Sequence, residues 1–261
     1  MKLKNSLPIV FLLLVFLYSC CKDPVAEPGL GKVSFTFSHE VNGDPLVYDS
    51  LKYVNAAGNH YMVNDIQYFV SNVTLYKKGG MPYKIEDQKF AHYIDSYLPG
   101  TMTWMVADDI VEGSYDSISF IMGLDEQMNK IGYFVNPPEV DMFWPDLMGG
   151  GYHYLKMNGK WINLGGQEYP FNYHMGLGME VNGLDTTFFH NYVKVSLPAS
   201  SFTVKPNVLT RLEIKMNIDS WFRTPHVWNH DSIGGAIMMN QSAMNWAKEN
   251  GWDVFSMRVL P

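Results

Sequence analysis

Histidine is the residue type that offers most chemistry in this sequence, which contains eight of them. His226, Trp228 and His230 follow one another at intervals of two residues, so an extended chain places all three side chains on one face. Two imidazoles on one face can bind a metal ion. Residues i and i+4 of a strand are about 13 Å apart, however, so a shared ion requires the chain to bend. Pro225 and Asn229 are residue types that allow such a bend.

Three further histidines lie in apolar segments. His39 is in phase with Phe37, and His153 is in phase with Leu155, each in a segment that alternates. His174 lies between Tyr173 and a methionine. We expect these side chains to face the interior or the rim of a pocket. For each of them the alternative is a structural histidine that is hydrogen bonded.

Copper is the metal that the composition favours. The chain has 17 methionines, but its two cysteines, Cys20 and Cys21, are both close to the N-terminus. The rest of the chain therefore has no disulfide and no thiolate ligand. Imidazole and thioether are ligands that suit copper, although methionine is also an ordinary filler of hydrophobic cores.

Acidic residues are the candidates for catalysis. The pairs Asp108-Asp109 and Asp125-Glu126 could bind calcium or act as acid and base, and the alternative is that they are solvated residues of turns. The sequence has no P-loop, no G-x-S-x-G motif and no zincin motif. We therefore predict no catalytic residue and a protein that is not an enzyme.

The N-terminus predicts export and a lipid anchor. Lys2 and Lys4 precede the apolar run 7–18, and Ser19-Cys20 follows it directly. A helix of 12 residues spans about 18 Å, well short of a hydrocarbon core of about 30 Å. The pattern is typical of a lipoprotein signal peptide, residues 1–19, that is removed before Cys20 is lipidated. Residues 20–30 are then a lipidated tether. We expect an outer membrane lipoprotein that faces the periplasm or the cell surface.

The remaining residues, 31–261, are predicted to form one domain. Hydrophobic residues make up 47% of the chain and charged residues 17%, which is enough apolar material for a core and too little charge for disorder. The net charge is −7, and it becomes about −9 when Lys2 and Lys4 are removed with the signal peptide. This charge disfavours a phosphate backbone, so we predict no nucleic acid partner. We expect a monomer.

Most of the domain has the period of β-strands. Residues 33–41 alternate apolar and polar side chains, and a turn follows at 42–45. Only residues 242–250 look helical, with Gly251 as the residue that ends the helix. The pattern predicts an all-β fold, an antiparallel β-sandwich with long loops and one short C-terminal helix. The stretch 137–151 is expected to form a long loop that packs across one end of the sandwich. The other predicted strands are residues 66–76, 83–85, 90–93, 115–122, 152–157, 171–175, 192–197, 209–218 and 254–259.

Eight blocks of the sequence, in order, resemble the MbnP-like domain family. They are FTFSHEVNG at 35–43, YVNAAG at 53–58, IQYFVSNV at 66–73, MFW at 142–144, GYHYLKMNG at 151–159, FNYHMG at 171–176, HDSI at 230–233 and MN at 239–240. Each block alone is unremarkable, but their order and spacing over residues 31–258 form a specific pattern. The family comprises exported, β-rich domains associated with copper-responsive proteins of methanotrophs, and it includes Bacteroidetes lipoproteins. Cys21-Lys22-Asp23 also resembles the export motif of Bacteroidetes surface lipoproteins.

The resemblance implies a copper site. In members of this family, copper is held by histidines beside a tryptophan that a partner di-haem peroxidase oxidises to kynurenine. The Trp-x-His unit expected there is Trp228-Asn229-His230 in this chain. We therefore predict an exported, lipid-anchored copper-binding protein and a possible di-haem peroxidase partner. The predicted metal ligands are His39, His174, His226 and His230, with Trp228 and His153 adjacent to the metal.

Two alternatives remain open at this stage. The first is a surface lipoprotein module that binds a glycan, a peptide or a protein partner through aromatic loops, with no metal and with structural histidines. The second is an enzyme that uses the acidic pairs.

Overall fold

The computed structural model describes residues 27–86 and 91–261. The predicted signal peptide, the lipidation site Cys20 and most of the tether lie outside these residues, as does Phe90 of the predicted strand 90–93. Among the described residues, no helix is long and apolar enough to cross a membrane.

The described chain is built mainly from β-strands. The strands are β1 (Leu30–Val41), β2 (Asp44–Pro45), β3 (Tyr53–Val54), β4 (His60–Lys77), β5 (Pro82–Lys84), β6 (Ala91–Asp95), β7 (Thr103–Met105), β8 (Ile110–Val111), β9 (Gly113–Met122), β10 (Leu155–Ile162), β11 (Glu168–Met175), β12 (Leu177–Asn182), β13 (Asp185–His190), β14 (Val193–Leu197), β15 (Phe202–Val204), β16 (Leu209–Asn217) and β17 (Phe255–Leu260). The two α-helices are α1 (His230–Ile233) and α2 (Gln241–Asn250).

Two sheets pack face to face. The smaller sheet has the order β17-β16-β1-β2, and the larger sheet has the order β11-β10-β4-β9-β14, with short strands at the sides of both. Aromatic pairs join the sheets, including Phe37 with Tyr68 at 6.4 Å and Phe120 with Phe255 at 5.2 Å between ring centroids. The predicted β-sandwich is therefore confirmed. Its strand pairs are antiparallel except for β1 with β16, which is parallel.

Alternation along β1 shows how the sequence builds this core. Phe35, Phe37 and His39 are all buried, as the predicted period requires, and Thr36 and Ser38 between them are half-buried. Residues 42 and 43 both have positive φ values, of 54° and 96°, which is the conformation that an Asn-Gly hairpin turn adopts.

The larger sheet is covered on its other face too. Phe69 points away from the sandwich core and packs with Tyr93, Met142 and Tyr152 in a second apolar cluster. The covering segment runs from β9 to β10 and contains two 3₁₀ turns, Glu139–Met142 and Asp146–Met148. The loop predicted at 137–151 therefore exists, but it packs onto a face of the sheet through Met142 instead of crossing one end.

Helix α2 begins and ends close to the predicted positions. Its N-cap is Asn240, whose side chain accepts a hydrogen bond from the backbone N–H of Ala243 at 3.0 Å. Gly251 follows the last helical residue, as predicted, with a right-handed φ of −66°. The chain continues into a 3₁₀ turn, Gly251–Asp253.

Candidate functional site

The buried His153 and the half-buried His174 meet on the outer face of the larger sheet. Phe171 and Tyr173 on β11 point into the sandwich core, so His174 points to the opposite face. His153 lies just before β10, and its ring centroid is 5.2 Å from that of His174, with the rings nearly perpendicular at 87°. The predicted ligand His174 and the predicted neighbour His153 are thus in direct contact.

The hydrogen bond of His153 identifies its free nitrogen. Its Nδ1 lies 3.0 Å from the backbone carbonyl oxygen of Met142, which can only accept, so Nδ1 carries the proton and donates. A neutral imidazole has one protonated nitrogen, so Nε2 bears a lone pair. This Nε2 is buried and has no hydrogen-bond partner in the part of the chain that the structure describes.

The tautomer of His174 is set by a chain of three side chains. The side-chain amide of Asn158 donates to Oδ1 of Asp65 at 2.9 Å, which orients the amide oxygen of Asn158 toward His174. Nε2 of His174 lies 2.8 Å from that oxygen and therefore donates to it. Its Nδ1 is then the lone-pair nitrogen, and it is buried without a partner among the described residues.

Both rings are held in the neutral form. Burial lowers the pKa of His153 to about 4, and the charge of Lys156 acts in the same direction. Burial, together with smaller contributions from His153 and Lys156, lowers the pKa of His174 to about 3. Neutral imidazole is the form that binds metals, so protons do not compete with a metal here at neutral pH.

A tryptophan lies beside this histidine pair. Trp144 is fully buried, and its ring centroid is 4.7 Å from that of His153, at 73°. Gly176 makes room for the indole, because a Cβ at this position would lie 2.4 Å from it. We did not single out Trp144 as a site residue from the sequence, although it belongs to one of the blocks that resemble the family.

His230 occupies a different pocket, on the core side of the same sheet. It is 1% exposed and begins α1, where its backbone N–H donates to Oδ1 of Asn59 at 2.9 Å. Its ring is stacked between Phe171, at 4.8 Å, and Trp161, at 5.3 Å. Burial lowers its pKa to about 4. Neither of its ring nitrogens has a hydrogen-bond partner within the described ranges.

Trp228 is brought together with His230 but not with His226. The ring centroids of Trp228 and His230 are 6.4 Å apart, and Trp228 also packs on Tyr173 at 4.8 Å. The expected extended segment is not formed, because Asn229 caps α1 and turns the chain. His226 stacks on the partly exposed ring of Trp246 and pairs with Glu249, so it does not share a face with His230.

His39 lies apart from both pockets, in the core between the two sheets. Its Nδ1 is 2.7 Å from the hydroxyl oxygen of Tyr48, and its ring also contacts Tyr68. Burial lowers its pKa to about 4. Within the described residues, no group of three or more His, Cys, Asp or Glu side chains is close enough to hold a metal ion. The ligand set of His39, His174, His226 and His230 stays a prediction. The structure places these four histidines in separate locations, whereas the sequence analysis assigned them to one metal.

The acidic pairs have structural partners. Asp108 accepts a hydrogen bond from the hydroxyl of Tyr83 at 2.9 Å, and Asp109 forms an exposed ion pair with Lys32 at 2.8 Å. Asp125 accepts backbone N–H bonds from Gln127 and Met128 in its own turn, each at 3.0 Å. These contacts are those expected of acids that stabilise turns.

Comparison with known proteins agrees with this fold. MbnP from Methylosinus trichosporium has a solved structure that matches this chain with a TM-score of 0.56 at 14% sequence identity, covering 89% of this chain and 99% of that chain. At this identity the likeness shows the fold alone. No curated protein matches the chain. A family model described as MbnP matches residues 30–245, which is most of the sequence, and the protein therefore belongs to the MbnP family.

Proposed function

We propose that this protein binds copper, in the Cu(I) state, at the pair His153 and His174 on the outer face of the larger sheet. The observation that carries the proposal is the pair of lone-pair nitrogens, Nε2 of His153 and Nδ1 of His174, both buried and both without a partner among the described residues. The association of the family with copper supports the choice of metal.

The spacing of the two rings suits one shared ion. An imidazole nitrogen binds a metal at about 2 Å, and the ring centre lies about 1 Å beyond it, so two histidines on one ion have centroids no more than about 6 Å apart. The observed distance between the ring centroids of His153 and His174, 5.2 Å, is inside this limit. Two neutral imidazoles with no carboxylate favour a soft, singly charged ion that accepts few ligands, and imidazole suits copper.

The hydrogen bonds behind the rings support the same role. Metal-binding histidines usually donate their second N–H to a carbonyl or carboxylate, which fixes the ring and increases its basicity. His153 donates to the carbonyl of Met142, and His174 donates to Asn158, which is itself bonded to Asp65.

The test is an anaerobic titration of Cu(I) into the purified protein against a chromogenic chelator. We expect binding tighter than micromolar, and we expect His174→Ala to weaken it about a hundredfold or more, because a ligand is lost. His60→Ala, which removes an exposed histidine, is the matched control and should leave the affinity unchanged. Wild-type affinity in a folded His174→Ala or His174→Phe variant would disprove the proposed site.

We also propose that the protein acts at the outer membrane, as a monomer anchored through lipidated Cys20 and facing the periplasm or the cell surface. The signal peptide and the Ser19-Cys20 junction of the sequence support this location. The di-haem peroxidase partner implied by the family is part of the same proposal. Its substrate in this chain would be a tryptophan beside a histidine, and we propose Trp144, which contacts His153, or Trp228 of the Trp-x-His unit.

A second candidate function is glycan binding at a different place. An open cleft of about 660 Å³ lies between β14 and α2, within the size range of small-ligand sites. It is lined by the aromatic residues Tyr192 and Trp252 and by polar groups such as Asn245 and Lys248, and Trp252 is 63% exposed. An exposed ring among hydrogen-bonding groups is suited to a sugar. If this function is correct, Trp252→Ala abolishes retention on a glycan array and His174→Ala does not.

A further inference from the structure

A second set of soft ligands is gathered in one small cleft. Its walls are formed by five methionines and Gln241, and the methionines are Met148, Met179, Met238, Met239 and Met244. They come from three separate parts of the chain: the 3₁₀ turn Asp146–Met148, strand β12, and residues 238–244, which lead into α2. Methionine is flexible and polarizable and is frequent at binding surfaces, so this grouping suggests a ligand site.

The floor of the cleft is fixed by side-chain amides. Asn191 donates to Oε1 of Gln241 at 3.2 Å and to Sδ of Met244 at 3.5 Å, and Gln241 donates back to Asn191 at 3.0 Å. Gly178 leaves the space for this network, because a Cβ there would lie 1.6 Å from Oε1 of Gln241. The sulfur of Met244 is therefore held in place at the base of the cleft.

The rim of the cleft is open. Met239 is 91% exposed, whereas Met244 is 1% exposed, so the thioethers extend from the surface to the buried base. Gly149, which follows Met148, has a φ of 99°, and this left-handed conformation directs the turn onto β12. An ion can reach these sulfurs from solvent without any movement of the sheets.

The size and charge of the cleft limit what it can hold. Its volume is about 60 Å³, far below the roughly 300–1,000 Å³ of sites for organic ligands. None of its lining side chains carries a charge. Thioethers are soft ligands that select Cu(I), whereas calcium and magnesium require carboxylate and carbonyl oxygens.

We propose that this methionine cleft is a second Cu(I) site, separate from the histidine pair and built on thioether sulfur. This inference goes beyond the proposed function and does not depend on it, because the two sites share no ligand. The protein then binds two Cu(I) ions, one in a nitrogen environment and one in a sulfur environment.

The test combines an anaerobic Cu(I) titration with X-ray absorption at the copper edge on the purified protein. The variant carries Met179→Leu, Met238→Leu and Met239→Leu, and it keeps the buried Met244 so that the fold is preserved. Exchange of Met for Leu nearly conserves volume. The matched control carries Met81→Leu and Met105→Leu, which change exposed methionines outside the cleft.

We expect the wild type and the control to bind two equivalents and the cleft variant to bind one, with the sulfur contribution lost from its absorption spectrum. His174→Ala should show the reverse, keeping the sulfur contribution. A cleft variant that is folded, as judged by circular dichroism, and that keeps both equivalents or the sulfur contribution would overturn the inference. If the wild type bound only one equivalent, with sulfur ligands, the result would argue against the histidine pair and would still support the methionine cleft.

Discussion

The pair His153 and His174 and the pocket of His230 lie on opposite faces of the same sheet and look alike by most measures. In both places imidazoles are buried, their pKa values are lowered to about 4 or below, and a tryptophan lies within ring contact. They differ in what the nitrogens contact. Each histidine of the outer pair has one bonded and one free nitrogen, whereas His230 has neither bonded among the described residues and is enclosed by aromatic rings.

This difference, more than burial, distinguishes the two places. On the outer face, a carbonyl and an amide determine which nitrogen keeps its lone pair, as is usual for the second nitrogen of metal-binding histidines. In the inner pocket, the planar ring of His230 fills the space between Trp161 and Phe171, and nothing selects its tautomer. We interpret His230 as a ring packed into the core, and the outer pair is the metal site that we propose.

The largest expected effect that tests this contrast is on acid stability. The folded-state pKa of His230 is about 4 against 6.5 unfolded, so wild-type protein loses stability as the pH falls from about 6.5 to about 4. His230→Phe removes this contribution, so its stability relative to wild type should rise by about 3 kcal/mol over that range. The measurement is urea denaturation at pH 7 and pH 4.

Any packing change caused by the phenyl ring is the same at every pH, so the pH dependence isolates the imidazole. His60→Gln, at an exposed position, should show no such dependence. Copper affinity of His230→Phe should equal that of the wild type. A large loss of affinity would instead make His230 a ligand.

An intermediate effect is expected at the amide behind His174. Asn158→Leu removes the acceptor that fixes the tautomer of His174, and we expect copper affinity to fall about 10–100-fold. The chelator titration measures this. Asn64→Leu is the matched control, since Asn64 also donates to an aspartate, Asp49, but contacts no histidine in the described structure. Equal affinities in both variants would mean that the hydrogen bond does not prepare the ring.

The smallest effect is expected at His226. Its ring lies on Trp246 and pairs with the exposed Glu249, and surface ion pairs of this kind contribute roughly 0–1 kcal/mol. His226→Ala should therefore lower stability by less than about 1 kcal/mol and leave copper affinity unchanged. Differential scanning calorimetry measures the change in stability, and the chelator titration measures the copper affinity. A clear loss of copper affinity would instead support His226 as a metal ligand, as the sequence analysis predicts.

Much of the fold could be predicted because the buried face of each strand repeats with period two. The strands at 33–41, 115–122 and 209–218 appear within two or three residues of their observed bounds, and so does helix α2. The hairpin of β12 and β13 was missed because most of its residues are exposed, so no apolar alternation marks it.

The candidate site was predicted only in part. His174 and His153 were both named from their apolar context, and their blocks resemble the family. Their contact could not be read from the sequence, because it depends on the segment from β9 to β10 folding back over the sheet. Trp228 and His230 were correctly placed together, but the capping side chain of Asn229 turns the chain and sends His226 elsewhere.

The sequence by itself determined the β-sandwich, the family and the supply of soft ligands, because periodicity, ordered blocks and composition are local properties of the chain. The tertiary structure alone decided which of those ligands meet. Hydrogen bonds from the two rings to Met142 and Asn158 decide which imidazole nitrogens are free, and three distant segments converge to form the methionine cleft. Such contacts depend on the packing of residues far apart in the chain, which no local pattern records.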